Sequence, residues 1–227
     1  MSDPLRLVVF DVDGTLVDSQ GHIFSSMNAA FTSLGHALPT REAVLDLVGL
    51  SLEVLMPRLA PDLGPTDHSH LVQAYKVAYM AEREEAGTAL SSPLYDGALA
   101  CLHHLNSLPD VVLGVATGKS KRGLDKLIEG HDLKGLFVTQ QVADFHPSKP
   151  HPAMLHSAMT EAGVGAGNAV MIGDTSFDME MAKGAGMRSI GVNWGYHSAD
   201  KLQAATRLVD TFDQLQLALR EMWSDQT

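Results

Sequence analysis

Four runs of apolar residues punctuate the chain: LRLVVF before Asp11, VVLGVA before Thr117, AVMI before Gly173, and RSIGV after Met187. A strand with one wet face alternates apolar and polar side chains, so runs like these predict parallel strands covered on both faces. Between them lie stretches with helical spacing. Leu124, Leu127 and Ile128 fall on one face, and Phe177, Met181, Ala182 and Ala185 on another. Gly184 and Gly186 are placed to close the second helix. Strand alternating with helix predicts an α/β protein built on a doubly wound parallel sheet, a Rossmann-like core. Chemistry in such folds gathers at the carboxyl ends of the strands.

From about Leu16 to Ser92 this rhythm stops. The segments SMNAAFTSLG, REAVLDLVG, LEVLMPRLA and HLVQAYKVAYMAERE read as helices, punctuated by Pro57, Pro61 and Pro65. An all-helical block between the first and second strands predicts an inserted cap domain spanning residues 16–92. The core is then 1–15 with 93–227, and the connections lie near Leu16–Ser19 and Gly87–Tyr95. There is no internal repeat and no low-complexity tract.

Length fits this division, since 227 residues suit one ordinary core with a modest insertion. The apolar fraction of 45% is that of a globular chain. A net charge of -11 argues against nucleic acid as a partner, because phosphate backbones recruit basic faces. The single cysteine, Cys101, excludes an intrachain disulfide and reads in ALACLHHL as a small buried hydrophobe. The run Leu5 to Phe10 is too short for a signal-peptide core, and no stretch approaches a membrane span. The expectation is a cytoplasmic protein without membrane attachment, monomeric or homodimeric.

The chemistry-bearing residues follow the apolar runs. In extended geometry Asp11 and Asp13 of DVDGTLVDS project to the same side, and Gly14 permits a sharp departure from the strand. One carboxylate there can attack phosphorus while a second protonates the leaving oxygen. In AVMIGDTSFD, Asp174 ends its strand and Asp178 falls in the first helical turn. Singly these two could be a helix cap and a dipole-facing acid. Four carboxylates in one cleft instead require a cation, and an all-oxygen donor set suits Mg²⁺.

Thr117 and Gly118 end VVLGVA and are read as opening the helix KSKRGLDKLIE, whose free N–H groups could hold phosphate oxygens. A nucleotide-binding loop is rejected, because Gly114 and Gly118 enclose three residues rather than four. Lys149 in PSKPHPAML precedes a helix that Pro152 could start, and it could neutralise charge on a nucleophile and a phosphoryl group. The eleven histidines, including His146, His151 and His156, do not align as a zinc site. The glycines of AGVGAGNA precede a strand, which excludes a dinucleotide fingerprint.

Taken in order, DVDGTLVDS, VATGK, SKPHP and GDTSFD resemble the four motifs of the haloacid dehalogenase superfamily: an aspartate pair, a Thr or Ser, a lysine, and an acidic GDxxxD. They span Asp11 to Asp178 with no departure. The helical insertion after the first motif resembles the cap of the phosphoglycolate-phosphatase-like branch. The resemblance implies that Asp11 forms an aspartyl-phosphate and ligates Mg²⁺. It makes Asp13 the general acid and then base, with its backbone carbonyl on the metal. Thr117 and the Gly118 N–H hold the phosphoryl group, and Lys149 orients Asp11. Asp174 binds Mg²⁺, with Asp178 doing so directly or through water.

A small phosphorylated metabolite is the implied partner, and phosphoglycolate the first candidate. Pyrophosphate, nucleoside monophosphates and sugar phosphates stay open. Dehalogenases and phosphonate-cleaving relatives lack the second aspartate, so Asp13 favours ester hydrolysis. A phosphohexomutase keeps both aspartates and remains the alternative, as does a pyrophosphatase or a non-catalytic phosphate-binding protein on this scaffold. Within the cap, the LVGLSLE turn with Gly49 and Ser51 is expected to face the site.

Overall fold

The computed structural model describes residues 4–224. Its six strands are β1 (Arg6–Phe10), β2 (Val111–Thr117), β3 (Phe137–Val142), β4 (Ala169–Gly173), β5 (Arg188–Val192) and β6 (Arg207–Val209). They form one parallel sheet in the order β3-β2-β1-β4-β5-β6. The order reverses at β1, whose carboxyl end carries Asp11, and a crevice opens at such a reversal.

Alternation along the inner strands sorts side chains to two cores. Val8 and Phe10 of β1, with Val170 and Ile172 of β4, pack under α6 (Ala98–Asn106), α7 (Lys121–Gly130) and α10 (Phe212–Ser224). Leu7, Val9, Ala169 and Met171 face α8 (Ala153–Ala162) and α9 (Ser176–Gly184). On α7, Leu124, Leu127 and Ile128 are buried as one stripe. Cys101 is buried and unoxidised in α6, and burial pushes its thiol up to about 12.

Two strands escape the sequence pattern. β3 is an edge strand whose FVTQQV mixes polar residues into the run and leaves Val138 exposed. β6, on the other edge, has three residues, two of them exposed. One helical assignment also changes. Phe177 does not join Met181, Ala182 and Ala185 in the core under α9, but packs instead against the inserted helices. The helix itself ends at Gly184, and Gly186 follows with a φ of 69°.

Between β1 and β2 the chain forms α1 (Gln20–Ser33), α2 (Arg41–Leu45), α3 (Leu52–Leu59), α4 (Pro65–Ala86) and the short α5 (Thr88–Ser91). Pro65 starts α4, where its missing N–H costs nothing, while Pro57 lies within α3. Ile23, Met27 and Phe31 of α1 meet Leu55, Met56, Leu71 and Tyr75 in a third apolar cluster separate from the sheet. The outgoing and returning chains run side by side. Asp18 N–H donates to the Pro93 carbonyl at 2.8 Å, and Tyr95 N–H to the Leu16 carbonyl at 3.0 Å. Among the described residues no helix is long and apolar enough to cross a membrane.

Candidate active site

β1 ends one residue before Asp11, which is 1% exposed, and β4 ends one residue before Asp174, which is fully buried. The parallel pairing of β1 with β4 sets Phe10 beside Ile172, and thus carries both carboxylates to one edge of the sheet. Gly14 follows with a φ of 83°, a conformation open to glycine, and a Cβ there would sit 2.2 Å from Asp174 Oδ2. The strand therefore turns away against the second acid. Asp174 is held by Thr15 Oγ1 at 2.9 Å and by the Tyr196 N–H at 2.8 Å.

Asp178 enters through a capping box on α9. Its N–H donates to Thr175 Oγ1 at 3.4 Å, while its Oδ2 accepts from the Thr175 N–H at 3.1 Å and the Thr175 hydroxyl at 2.7 Å. The other oxygen, Oδ1, meets Lys149 Nζ at 2.7 Å. Lys149 is 1% exposed and also lies 2.8 Å from Asp11 Oδ1, an ionic contact without hydrogen-bond alignment. Burial works against its charge, but Asp11 and Asp178 outweigh that and hold its pKa above the ordinary lysine value.

Oxygens of Asp11, Asp174 and Asp178 lie within 4.8 Å of one another, and neither oxygen of Asp11 has a hydrogen-bond partner. Burial pushes Asp11 up to about 7 despite the opposing charge of Lys149. Asp174 is raised well above the carboxylate range by burial and then by the charges of Asp11 and Asp178. Three acids crowded this way stay ionised together only around a cation, and an oxygen-only donor set fits a hard divalent metal. The Asp13 carboxylate lies apart from this trio. It accepts from Ser19 Oγ and pairs with Lys119 Nζ at 2.8 Å.

Thr117 is buried at the end of β2, and its Oγ1 accepts from the Lys119 N–H at 3.2 Å. The following helix opens later than the sequence reading has it. Ser120 is the cap, accepting from the Gly123 N–H at 3.2 Å, and α7 starts at Lys121. Gly118 thus belongs to the connecting bend. A Cβ on it would lie 2.6 Å from the Gly49 carbonyl oxygen and 2.9 Å from that of Leu50, so the LVGLSLE turn rests directly on it. Ser51 N–H donates to Ser148 Oγ at 2.8 Å, next to Lys149. A cavity of about 740 Å³ lies between sheet edge and inserted helices, with Asp11, Asp13, Thr117, Gly118 and the Gly49–Ser51 turn in its wall.

Three contributors went unread in the sequence. Lys119 donates to Tyr79 Oη of α4 at 3.0 Å, and burial is outweighed by Asp13 and Tyr79 in keeping its pKa above the ordinary value. Tyr196 bonds Ser19 at 2.8 Å, beside Asp13. For Lys119 a signal existed: it follows Thr117 by two residues, at a strand end where clustered acids need a counter-charge. Nothing local marks Tyr79 or Tyr196, which arrive through the fold.

A family model described as haloacid dehalogenase-like hydrolase matches residues 8–192. The chain belongs to this family. It is a phosphatase of that family, a phosphoric monoester hydrolase by enzyme class. The Dickeya dadantii protein named "Probable phosphatase IndB" is 35% identical over 213 residues, covering 92% of this chain and 91% of that one. A phosphoglycolate phosphatase of Pseudomonas fluorescens is 28% identical, with 92% of this chain and 78% of the relative covered. Among solved structures, one titled a predicted phosphatase from Clostridium acetobutylicum superposes with a TM-score of 0.85 at 25% identity. It covers 96% of this chain and all of that one. As in the chain's family at large, the acidic trio is where a divalent metal could be held.

Proposed function

We propose that this haloacid dehalogenase-like phosphatase hydrolyses a small phosphomonoester with Mg²⁺, through an aspartyl-phosphate on Asp11, with phosphoglycolate the first candidate substrate. The observation that carries this reading is the Asp11 carboxylate: buried, its oxygens lacking a hydrogen-bond partner, and ion-paired to a buried lysine at the wall of the cavity. A carboxylate so placed is desolvated, oriented and ready to attack.

Lys149 fixes Asp11 and offsets charge as the phosphoryl group arrives. The hydroxyl of Thr117 and the N–H of Gly118 hold the phosphoryl oxygens. Asp13 protonates the leaving oxygen and then takes a proton from the attacking water, and the Lys119 ammonium beside it fixes its position. Asp11, Asp174 and the backbone carbonyl of Asp13 would hold Mg²⁺, which would supply Lewis-acid neutralisation of phosphoryl charge. Asp178, whose oxygens also accept from Lys149 and Thr175, would complete the metal site directly or through water.

The division of labour follows two units, a core of residues 1–15 with 93–227 and a cap of 16–92. The paired crossings at Asp18–Pro93 and Leu16–Tyr95 support a hinge there. Phosphoglycolate is favoured by the 28% identical phosphoglycolate phosphatases. The single buried, free Cys101 suits a reducing cytoplasm.

The test is phosphate release across a panel of phosphoglycolate, sugar phosphates, nucleoside monophosphates and pyrophosphate, with Mg²⁺ and with EDTA. Turnover that needs Mg²⁺ and vanishes in Asp11→Asn is expected. Unimpaired release by Asp11→Asn would remove the mechanism, and a hexose 6-phosphate formed from hexose 1-phosphate would make the chain a mutase.

A further inference from the structure

Arg83 lies on α4 with 8% of its surface exposed, in the wall of the cavity. Among the described residues its guanidinium has no hydrogen bond and no ion pair. Its nitrogens are not among the enclosed, unpartnered polar atoms of the described residues, so they open onto the cavity, where a ligand can reach them. The acids nearby are already engaged: Glu53 pairs with Lys76 at 3.3 Å, and Asp144 accepts the Lys121 N–H at 2.8 Å. The helix places Arg83 relative to the reacting centre. It lies one turn beyond Tyr79, about 6 Å along the axis and on the same face. Tyr79 in turn touches Lys119, which touches Asp13.

We infer that Arg83 is the receptor for a second anionic group on the substrate, so that the true substrate is a short phosphomonoester carrying a carboxylate or another phosphate beyond the one released. This rests on the phosphatase reading and narrows it. A planar guanidinium offers paired donors matched to either group, and the leaving-group end of the substrate must point toward Asp13 and hence toward α4. In a chain of net charge -11, an arginine without a protein partner in the cavity wall also gives the anion a local attraction that the bulk of the protein withholds.

The experiment compares kcat/KM for matched esters: phosphoglycolate against ethyl phosphate, and fructose 1,6-bisphosphate against fructose 6-phosphate. The doubly anionic member of at least one pair should be preferred roughly 10- to 100-fold, the worth of a charged hydrogen-bonded contact, and the pair that shows it identifies the group. Arg83→Gln should lower kcat/KM for that member at least about 10-fold more than for its partner, with Arg83→Lys between the two. Equal losses for both members, or no preference in the wild type, would overturn the inference and leave the phosphatase reading intact. Calorimetric binding of phosphoglycolate and ethyl phosphate to Asp11→Asn, with and without Arg83→Gln, reads the same discrimination without turnover. That binding preference, lost with Arg83, together with a wild-type protein that releases phosphate from none of the esters, would uphold Arg83 and sink the phosphatase reading.

Discussion

Stripping the metal from this site should give the protein an inverted pH dependence of stability. Burial raises Asp11 from 3.8 to about 7 in the folded chain, while in the unfolded chain it titrates near its ordinary value. Between those limits the folded form holds a proton that the unfolded form has released. Raising the pH through this window therefore withdraws stability, opposite to a carboxylate that gains a partner on folding. At 1.36 kcal/mol per unit, the cost is absent below pH 3.8 and reaches about 4 kcal/mol above pH 7. Mg²⁺ binds the ionised form and should reverse the loss, by about 4 kcal/mol at a thousandfold excess over its dissociation constant. For a chain of this length that is roughly 8–16 °C in Tm. Asp11→Asn removes the titrating group, so the informative quantity is the difference between the two EDTA-treated proteins. Denaturant unfolding from pH 4 to 8 should show the mutant gaining on the wild type as pH rises, by several kcal/mol at the top. A difference that stays flat, or a wild type that Mg²⁺ does not stabilise, would refute the reasoning.

Two further outcomes test the roles around Asp11. Asp13→Asn should slow esters of poor leaving groups far more than an aryl phosphate of an acidic phenol, and phosphoenzyme should accumulate. Rapid quench with mass spectrometry would find the added mass on the Asp11 peptide, and equal slowing without it would remove the acid–base role. Gly118→Ala forces a methyl against the carbonyls of Gly49 and Leu50. Displacing that turn should cost about 1–3 kcal/mol, felt as a 5- to 100-fold loss in kcat/KM with Tm changed by a few degrees. Unaltered kinetics would mean the turn does not form part of the working site.

The sheet was legible where burial is two-sided. β1, β2, β4 and β5 announce themselves because both faces are covered and nearly every position is apolar. β3 and β6 do not, because an edge strand tolerates Thr139, Gln140 and an exposed Val138. The acids and Lys149 were legible because each follows an apolar run or lies in a short motif. What escaped was what distant segments bring to the site. Tyr79 reaches Lys119 across 40 residues of sequence, and no local pattern carries that information. Arg83 reads as one charge among neighbours in AEREEA, and only the packing of α4 shows that it is buried. The start of α7 was misplaced because Thr117 and Ser120 are both plausible caps, and only the hydrogen bond from Gly123 decides between them.

The contact of Lys119 with Tyr79 joins the two halves of the molecule at the residue proposed to move protons. Swinging the helices about the Leu16–Tyr95 crossing would detach Tyr79 from Lys119 and lift the Gly49–Ser51 turn from Gly118. An arrangement opened in that way would not be the one in which the proposed proton donor is held. On the proposed roles, a guest that held the helices apart would break the Tyr79–Lys119 contact and leave Asp13 without its fixed neighbour. Selectivity would then lie in geometry in time: a substrate would be recognised by whether these contacts can form around it.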